Sequence, residues 1–450
     1  MKFHFIAIGG AAMHNIAIAL HHQGHIVTGS DDEIYEPSRS RLSAHGLLPE
    51  KQGWYPDKIT QNIDTVILGM HARTDNPELM QAQQLGLKIY SFPEFLYEQT
   101  KNKKRVVVGG SHGKTTITSM IMHVLKNCNV KFDYMVGSQV QGFDTMAGIS
   151  EETDIAVFEG DEYLASPVDP RPKFHLYKPH IAVISGIAWD HINVFPTFEN
   201  YCGQFRIFAE KIEENGSLIY FNEDKNIAKI VASLRPDIQK IPYSTHAFVI
   251  EEGKTHLYYK KLKIQTAVFG KHNMQNISAA LNVCMQIGIR ETDFYKAISS
   301  FRGANKRLQL LSEKENCAVF LDFAHSPSKL KATIEAVKSQ FPDRKLLACM
   351  ELHTFSSLTE NFLDEYKNSM QQADEKVIFY NPATIEHKGL NKLSHEKIKS
   401  AFGDATIRVF DEDHLLKAFL FSNSWKGYTI LLMSSGNFSN IDFRELINRI

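Results

Sequence analysis

The stretch from Arg105 to Thr116 has residue types and a spacing that could bind phosphate groups: it reads R-V-V-V-G-G-S-H-G-K-T-T. Backbone N–H groups of a glycine loop can hold phosphates at a helix N-terminus, Lys114 can reach the terminal ones, and the Thr115 hydroxyl can ligate Mg²⁺. The strict pattern requires glycine at Val108, so a plain glycine-rich turn is the alternative. The phosphate-binding residues that we predict are Gly110, Ser111, His112, Gly113, Lys114, Thr115 and Thr116.

A strand and a helix position this loop. Val106 to Val108 form a β-branched run that is typical of a buried parallel strand. Apolar residues at helical spacing from Ile117 to Val124 predict a helix that begins near Lys114. We therefore expect a strand, a glycine loop and a helix in that order, with the Lys114 side chain in a solvated cleft.

Two further predicted strands lead into side chains that could bind a metal ion. Ile155 to Phe158 is followed by Glu159, and Ile181 to Ser185 leads to His191. The carboxyl ends of parallel strands meet at one edge of an open sheet, where ligands bind. Thr115, Glu159 and His191 are therefore the candidate Mg²⁺ ligands. Histidine is a less usual ligand for Mg²⁺, so a structural role for His191 stays open.

The N-terminal segment predicts a βαβ unit of nucleotide-binding type. Phe3 to Ile8 and Ile26 to Thr28 have the composition of strands, and Met13 to His22 has that of a helix. Asp31, an acidic residue after the second strand, could hold a ribose. The G-x-G-x-x-G spacing is absent, so a plain α/β turn is the alternative.

Alternation of strands and helices after residue 300 predicts another doubly wound α/β domain. Ala318 to Asp322 is predicted as a strand, Leu330 to Phe341 as a helix, and Lys345 to Met350 as the next strand. The remaining strands that we predict are Glu375 to Tyr380, Ile407 to Phe410 and Tyr428 to Met433.

Composition limits the classes of protein to which the chain can belong. Its 450 residues suggest about three domains, and 43% hydrophobic residues can form a large core. A net charge of -1 gives no reason to expect a nucleic-acid or membrane partner. Five dispersed cysteines and no apolar run of transmembrane length favour a cytoplasmic protein.

The order of several motifs resembles that of the Mur ligase family along essentially the whole chain. These motifs are G-G-S-H-G-K-T-T, F-E-G-D-E-Y, W-D-H, G-K-H-N-M-Q-N, N-K-R and L-D-F-A-H-S-P. The resemblance implies a UDP-sugar-binding Rossmann-like domain over residues 1–98, a central ATP-binding P-loop domain over 99–299, and a C-terminal Rossmann-like ligase domain over 300–450. It also implies an ATP-dependent amide ligase that acts on UDP-N-acetylmuramate with ATP and Mg²⁺.

The resemblance implies roles for further residues of this chain. Lys114 and His191 would be catalytic. In the implied reaction, the muramoyl carboxylate would attack the γ-phosphoryl group of ATP and form an acyl phosphate, which the incoming amine would then attack. Ala7 and Ala12 stand where the family usually has glycine. Further ATP contacts are implied for Asn273, Asn276, Arg307, Asp322 and His325. The UDP-sugar site would comprise Gly9, Gly10, Ala11, Ala12, Met13, Ser30, Asp31 and His71.

Within the family, several segments are most similar to the murein peptide ligase branch. That branch attaches L-alanyl-γ-D-glutamyl-meso-diaminopimelate to UDP-N-acetylmuramate, a reaction of peptidoglycan recycling. The segments are D-E-Y at residues 161–163, R-P-K-F-H-L-Y-K-P at 171–179 and M-S-S-G-N-F at 433–438. The tripeptide brings carboxylates, for which Arg171, Lys173 and His353 are the candidate partners. Ligation of L-alanine is the nearer alternative, and a nucleotide-dependent dehydrogenase built on the first βαβ unit is the more distant one.

Overall fold

The computed structural model describes residues 1–189, 192, 194–314 and 316–449. Contacts between Cα atoms divide these residues into two units. The first unit comprises Met1–Ile187, Cys202–Ser244 and Ala279–Ala297, and the second comprises Ala188–Tyr201, Thr245–Ser278 and Ile298–Ile450.

The first unit begins with a four-stranded parallel sheet of order β2-β1-β3-β4. Two of its helices begin at side-chain caps: Asn76 accepts hydrogen bonds from two backbone N–H groups, and Ser91 forms a capping box with Glu94. The elements are β1 (Lys2–Ile6), α1 (Ala11–His22), β2 (Ile26–Ser30), α2 (Ser38–Ala44), β3 (Thr65–Leu68), α3 (Pro77–Gln84), β4 (Ile89–Ser91) and α4 (Phe92–Thr100).

A seven-stranded sheet follows in the same unit, in the order β13-β12-β11-β5-β8-β6-β7. All its neighbouring strands are parallel except β6 and β7. The strands β9 and β10 form a separate antiparallel pair. The elements are β5 (Lys104–Gly109), α5 (Lys114–Asn127), β6 (Asp133–Met135), β7 (Ala147–Gly148), β8 (Ile155–Glu159), β9 (Leu164–Ser166), β10 (Asp169–Pro172), β11 (Ile181–Ile184), α6 (Phe198–Glu210), β12 (Ser217–Phe221), α7 (Lys225–Ser233) and β13 (Gln239–Tyr243).

Strand β5 lies inside this sheet because its side chains suit burial on both faces. Val106, Val107 and Val108 are fully buried, as expected for a central parallel strand. Val108 pairs with Glu159 of β8, and Gly109 pairs with Ile184 of β11. The carboxyl ends of β8, β5 and β11 therefore lie side by side, and the loop after β5 begins between the ends of β8 and β11.

The second unit contains a three-stranded antiparallel sheet of order β14-β15-β16. The Thr255 hydroxyl donates a hydrogen bond of 2.9 Å to Oε1 of Gln340, which attaches this sheet to a helix of the same unit. Two helices that follow the sheet lie partly in each unit. The elements are β14 (Phe248–Glu251), β15 (Lys254–Tyr259), β16 (Leu262–Thr266), α8 (Lys271–Gln286) and α9 (Glu291–Ile298).

A six-stranded sheet of order β17-β18-β22-β19-β20-β21 completes the second unit, and only β17 is antiparallel to its neighbour. Alternate residues of β19 enter two separate hydrophobic clusters, which shows that helices cover both faces. The elements are β17 (Gln309–Lys314), β18 (Cys317–Asp322), α10 (Pro327–Gln340), β19 (Lys345–Leu352), α11 (Glu360–Leu363), β20 (Glu375–Tyr380), α12 (Pro382–His387), α13 (His395–Phe402), β21 (Arg408–Phe410), α14 (Asp413–Ser422), β22 (Tyr428–Met433) and α15 (Phe443–Arg449).

The predicted architecture is confirmed: Rossmann-like sheets stand at both ends of the chain, with a P-loop sheet between them. The predicted boundaries, 1–98, 99–299 and 300–450, stay predictions, because the contact division yields two units. Of the helices that the structure describes, none is both long and apolar enough to cross a lipid bilayer.

Candidate functional site

The loop between β5 and α5 adopts a conformation that needs glycine. Gly110 has a φ of +134° and Gly113 a φ of +79°, both in the region that favours glycine. A Cβ atom on Gly110 would lie 2.9 Å from the backbone nitrogen of Ser185. The loop is held against the end of β11 by a hydrogen bond of 2.9 Å from Ser111 N–H to the carbonyl of Gly186.

The segment after β11 also holds His112 of the loop. The Ser185 hydroxyl donates a hydrogen bond to the carbonyl of His112. A Cβ atom on Gly186 would lie 2.6 Å from Nε2 of that histidine, so the His112 ring packs directly on glycine backbone. Thr116 is buried in the first turn of α5. Contacts within the protein therefore hold the loop in shape, and its backbone surrounds the N-terminus of α5.

Lys114 does not extend into a solvated cleft, so that expectation is wrong. Its side chain is only 13% exposed, and its ammonium donates to Oε2 of Glu162 at 2.6 Å and to the carbonyl of Gly110 at 2.7 Å. Burial lowers the pKa of Lys114, but the carboxylates of Glu162, Asp161 and Glu159 outweigh burial and leave that pKa raised. Lys114 is therefore a cation that its protein surroundings hold in place.

Thr115 and Glu159 are brought together as predicted from the sequence. The Thr115 hydroxyl donates a hydrogen bond of 2.8 Å to Oε1 of Glu159, and the backbone N–H of Gly137 donates one of 2.6 Å to Oε2. A Cβ atom on Gly137 would lie 2.9 Å from that Oε2, so the close approach needs glycine. The hydroxyl and the carboxylate form a set of oxygen donors, which is the kind that Mg²⁺ prefers.

His191, the third predicted metal ligand, lies outside the described residues. Within residues 1–189, 192, 194–314 and 316–449, no group of three or more His, Cys, Asp or Glu side chains is arranged as a metal centre. Thr115 and Glu159 fit Mg²⁺ by the chemistry of their oxygens, and a phosphate ligand would supply further oxygens beside them.

In the first sheet, Asp31 holds the glycine turn that precedes α1. Its Oδ2 accepts a hydrogen bond of 2.7 Å from the backbone N–H of Gly9. Burial raises the pKa of Asp31 to about 6, partly offset by this hydrogen bond from Gly9. The backbone N–H of Gly53 donates to the Asp31 carbonyl at 2.7 Å, so a second loop is attached at the same residue.

The remaining predicted sugar-binding residues surround this turn or lie near it in sequence. Ala7 has a φ of +67°, an unfavourable region for alanine that glycine would occupy easily, and this explains the family preference for glycine there. The Ser30 hydroxyl is buried without a hydrogen-bond partner among the described residues. His71 is exposed. Gly10, Ala11, Ala12 and Met13 form the turn and the start of α1.

In the second unit, Asp322 organises the turn after β18. Its carboxylate accepts hydrogen bonds from the backbone N–H groups of Leu308 at 2.5 Å and Ala324 at 2.8 Å. The guanidinium of Arg307 lies 4.4 Å from the centre of the Phe323 ring, a cation–π contact. Nδ1 of His325 lies 2.8 Å from the carbonyl of Phe323. These predicted nucleotide contacts therefore cluster within one turn.

The two asparagines predicted near adenine lie on α8 and are buried. The side-chain amide of Asn273 donates to the carbonyl of Phe269 at 2.8 Å, and that of Asn276 donates to Oδ1 of Asn273 at 3.2 Å. Asn273 thus orients Asn276, while the backbone carbonyl of Phe269, just before the helix, anchors Asn273.

Each of the three predicted acceptor-binding residues lies beside a carboxylate. Arg171 donates to Asp169 through Nε and Nη2, and Lys173 donates to Oδ2 of Asp161 at 2.6 Å. Nδ1 of His353 lies 3.8 Å from Oε1 of Glu351. Burial lowers the pKa of His353, although Glu351 opposes this effect. Carboxylates of the protein thus already balance the positive charges of Arg171 and Lys173.

Two residues that bond the predicted site residues were not predicted from the sequence. Glu162, which bonds Lys114, and Gly137, which bonds Glu159, lie in other loops. A signal for Glu162 was present, because it is the third acidic residue in the motif F-E-G-D-E-Y after β8. Gly137 had no such signal, since a single glycine before Ser138 carries no pattern.

Comparison with known families gives matches along almost the whole chain. The model described as "Mur ligase family, catalytic domain" matches residues 2–104, "Mur ligase middle domain" matches 108–284, and "Mur ligase, glutamate ligase domain" matches 306–436. The chain is 32% identical to the UDP-N-acetylmuramate–L-alanine ligase of Caldicellulosiruptor bescii over 412 residues, which is 88% of this chain and 87% of that protein. Other relatives at 27–30% identity have the same name.

Solved structures share the fold. The UDP-N-acetylmuramate-alanine ligase of Thermotoga maritima has a TM-score of 0.73 at 20% identity, covering 100% of this chain and 99% of that one. A murein peptide ligase from Psychrobacter arcticus has a TM-score of 0.68 at 22% identity with the same coverage. At these identities the structures establish the fold, and the choice between the two reactions rests on the more similar relatives.

The prediction of a tripeptide-adding enzyme of peptidoglycan recycling is therefore wrong. The relatives that match most of the chain at 27–32% identity are L-alanine ligases. A physical reason accompanies the correction: Arg171 and Lys173 were expected to bind peptide carboxylates, and both already bind carboxylates of the protein itself. Similar short segments around these residues were thus a poor guide to the acceptor.

Proposed function

We propose, from the premise that this chain belongs to the Mur ligase family, that it joins the carboxylate of UDP-N-acetylmuramate to the amine of L-alanine. The family consists of ATP-dependent amide ligases, so the chain is an ATP-dependent ligase that forms a C–N bond. The observation that carries the proposal is the similarity, over most of both chains, to enzymes named for that reaction. The alternative of a nucleotide-dependent dehydrogenase is wrong for the same reason.

The glycine loop and Lys114 would bind the phosphates of ATP. The loop is held in shape against the end of β11, and its backbone N–H groups lie at the N-terminus of α5, where anions are favoured. The Lys114 ammonium would neutralise charge that builds up as a phosphoryl group moves to the muramoyl carboxylate. That transfer activates a carboxylate that is otherwise a poor acyl donor.

Thr115 and Glu159 would hold Mg²⁺ beside the phosphates. When bound, the ion supplies positive charge that lowers the repulsion between the nucleotide and an attacking carboxylate. In the structure the Thr115 hydroxyl and the Gly137 N–H orient the two oxygens of Glu159. The carboxylate is therefore held in one orientation by its neighbours, as a metal ligand requires.

Asp31 and the turn after β1 would bind the UDP-sugar. Oδ2 of Asp31 accepts the Gly9 N–H, so the carboxylate keeps the turn in place, and Asp31 would contact a ribose of the bound nucleotide. The buried Ser30 hydroxyl next to it has an unfilled hydrogen-bonding capacity among the described residues, which a ligand could satisfy. In the second unit, Asn273, Asn276, Arg307, Asp322 and His325 are proposed as nucleotide contacts.

The test measures phosphate release with UDP-N-acetylmuramate, ATP and Mg²⁺ for different acceptors. We expect L-alanine to give a much higher kcat/KM than glycine, D-alanine or the tripeptide, and the product to contain one added alanine by mass spectrometry. As a control, a variant of exposed Glu152, whose side chain is 73% exposed, should match the wild type. Faster turnover with another acceptor would refute the L-alanine assignment but would not affect the proposed ATP site.

A further inference from the structure

Three carboxylates lie at the end of β8 or directly after it, and each has a different partner. Glu159 accepts the Thr115 hydroxyl, and Asp161 accepts the Lys173 ammonium at 2.6 Å. Glu162 is the carboxylate that bonds Lys114 directly. Its side chain is 1% exposed, so its charge is almost completely removed from water. A carboxylate buried to this degree is costly unless it is paired with a cation.

We propose that Glu162 is a positioning residue for nucleotide binding, which holds the Lys114 ammonium beside the glycine loop so that phosphate groups meet a cation already in place. The inference rests on the proposed function only in its use of ATP, and it is independent of the acceptor.

The geometry favours a cation that stays bound to Glu162 when phosphate arrives. An ammonium has three N–H donors, and Lys114 directs two of them to Glu162 and to the Gly110 carbonyl. The third donor can reach a phosphate oxygen without breaking either bond. If Lys114 left Glu162 instead, the buried carboxylate would lose this ion pair, which is energetically costly.

The experiment measures ADP binding by calorimetry with the full-length protein at pH 7.5, without sugar or amino acid. For Glu162→Gln we expect the affinity to fall about tenfold, as for other residues that orient a ligand-binding group. Asp161→Asn is the matched control, because it removes a neighbouring charge and leaves the bond from Lys114 to Glu162; its effects should be smaller.

Thermal unfolding identifies the variants that fold, and Glu162→Asp replaces Glu162→Gln if the latter does not. Aspartate keeps the charge but shortens the side chain, so we expect Glu162→Asp to bind ADP more weakly than the wild type and more tightly than Glu162→Gln. An affinity equal to the wild type in Glu162→Gln, equal losses of affinity in Asp161→Asn and Glu162→Gln, or an affinity of Glu162→Asp no higher than that of Glu162→Gln would overturn the inference. A wild-type protein that binds no ADP would overturn it together with the ATP site, whereas a different acceptor would affect only the proposed function.

Discussion

The Thr115 hydroxyl donates a hydrogen bond of 2.8 Å to Oε1 of Glu159, although the two residues lie 44 positions apart in the chain. Val108, at the end of β5, pairs with Glu159, at the end of β8. The helix that begins after β5 therefore starts beside this carboxylate. Strand register alone brings a hydroxyl from one strand–helix unit to a carboxylate from the next, and it creates the proposed metal site.

Replacement of Glu159 by glutamine tests this site. The amide keeps the size of the side chain and one oxygen acceptor but removes the negative charge, so we expect the Mg²⁺ concentration required for half-maximal activity to rise about tenfold or more. UDP-sugar binding should change little. The measurement is a Mg²⁺ titration of phosphate release, with Glu152→Gln as the control. An unaltered titration would favour a structural carboxylate.

Lys114→Ala should affect both activity and stability. Loss of the cation should reduce kcat by on the order of 10²-fold or more. It also removes the ammonium that forms an ion pair with the buried Glu162, so the free energy of unfolding should fall by about 3 kcal/mol. Addition of Glu162→Gln to this variant should restore much of the stability and none of the activity. Urea unfolding and turnover of the single and double variants measure both effects; equal stability of both variants would contradict the buried pair.

Gly110→Ala should impair nucleotide binding through sterics. A Cβ atom there would meet Ser185 N at 2.9 Å, and the residue has a φ of +134°. Overpacking by an added methyl group typically costs about 1–3 kcal/mol. If this cost falls on the loop conformation that binds ADP, the affinity for ADP should decrease by roughly 10- to 100-fold. Gly203→Ala is the control, because nothing lies within 4 Å of its added Cβ and it lies in α6. That change should stabilise the fold slightly. Equal ADP affinities of the two variants would refute the packing argument.

Asp31 should make stability depend on pH. Its pKa in the folded protein is about 6, against an ordinary value of 3.8. Between these values the folded state holds a proton that the unfolded chain has released, so the contribution is present at low pH and is lost as pH rises to about 6. Its size is roughly 3 kcal/mol at most. In Asp31→Asn, urea unfolding at pH 4 and pH 7 should show a smaller difference in unfolding free energy than in the wild type; an identical difference would contradict the assignment.

Helices and strands whose residue types show a clear local pattern could be predicted from the sequence. Val106 to Val108 and the residues after Lys114 predicted β5 and α5, and Glu375–Tyr380 and Tyr428–Met433 were predicted with the bounds observed. The helix α10 begins at Pro327, earlier than predicted, because proline is well suited to the first turn of a helix. The antiparallel strands β14 to β16 were not predicted, since their lysine-rich, half-exposed pattern resembles that of loops.

The sequence by itself determined that a glycine loop, a hydroxyl and an acidic residue would meet at the end of a parallel sheet, because local residue types indicate the strands and the loops that follow them, and the carboxyl ends of parallel strands share one edge. Only the tertiary structure decided that Lys114 is paired with Glu162 and that Gly137 orients Glu159. These contacts join residues that are distant in the chain, so they depend on which strands are neighbours and on how each loop packs. No local pattern of residues encodes that information.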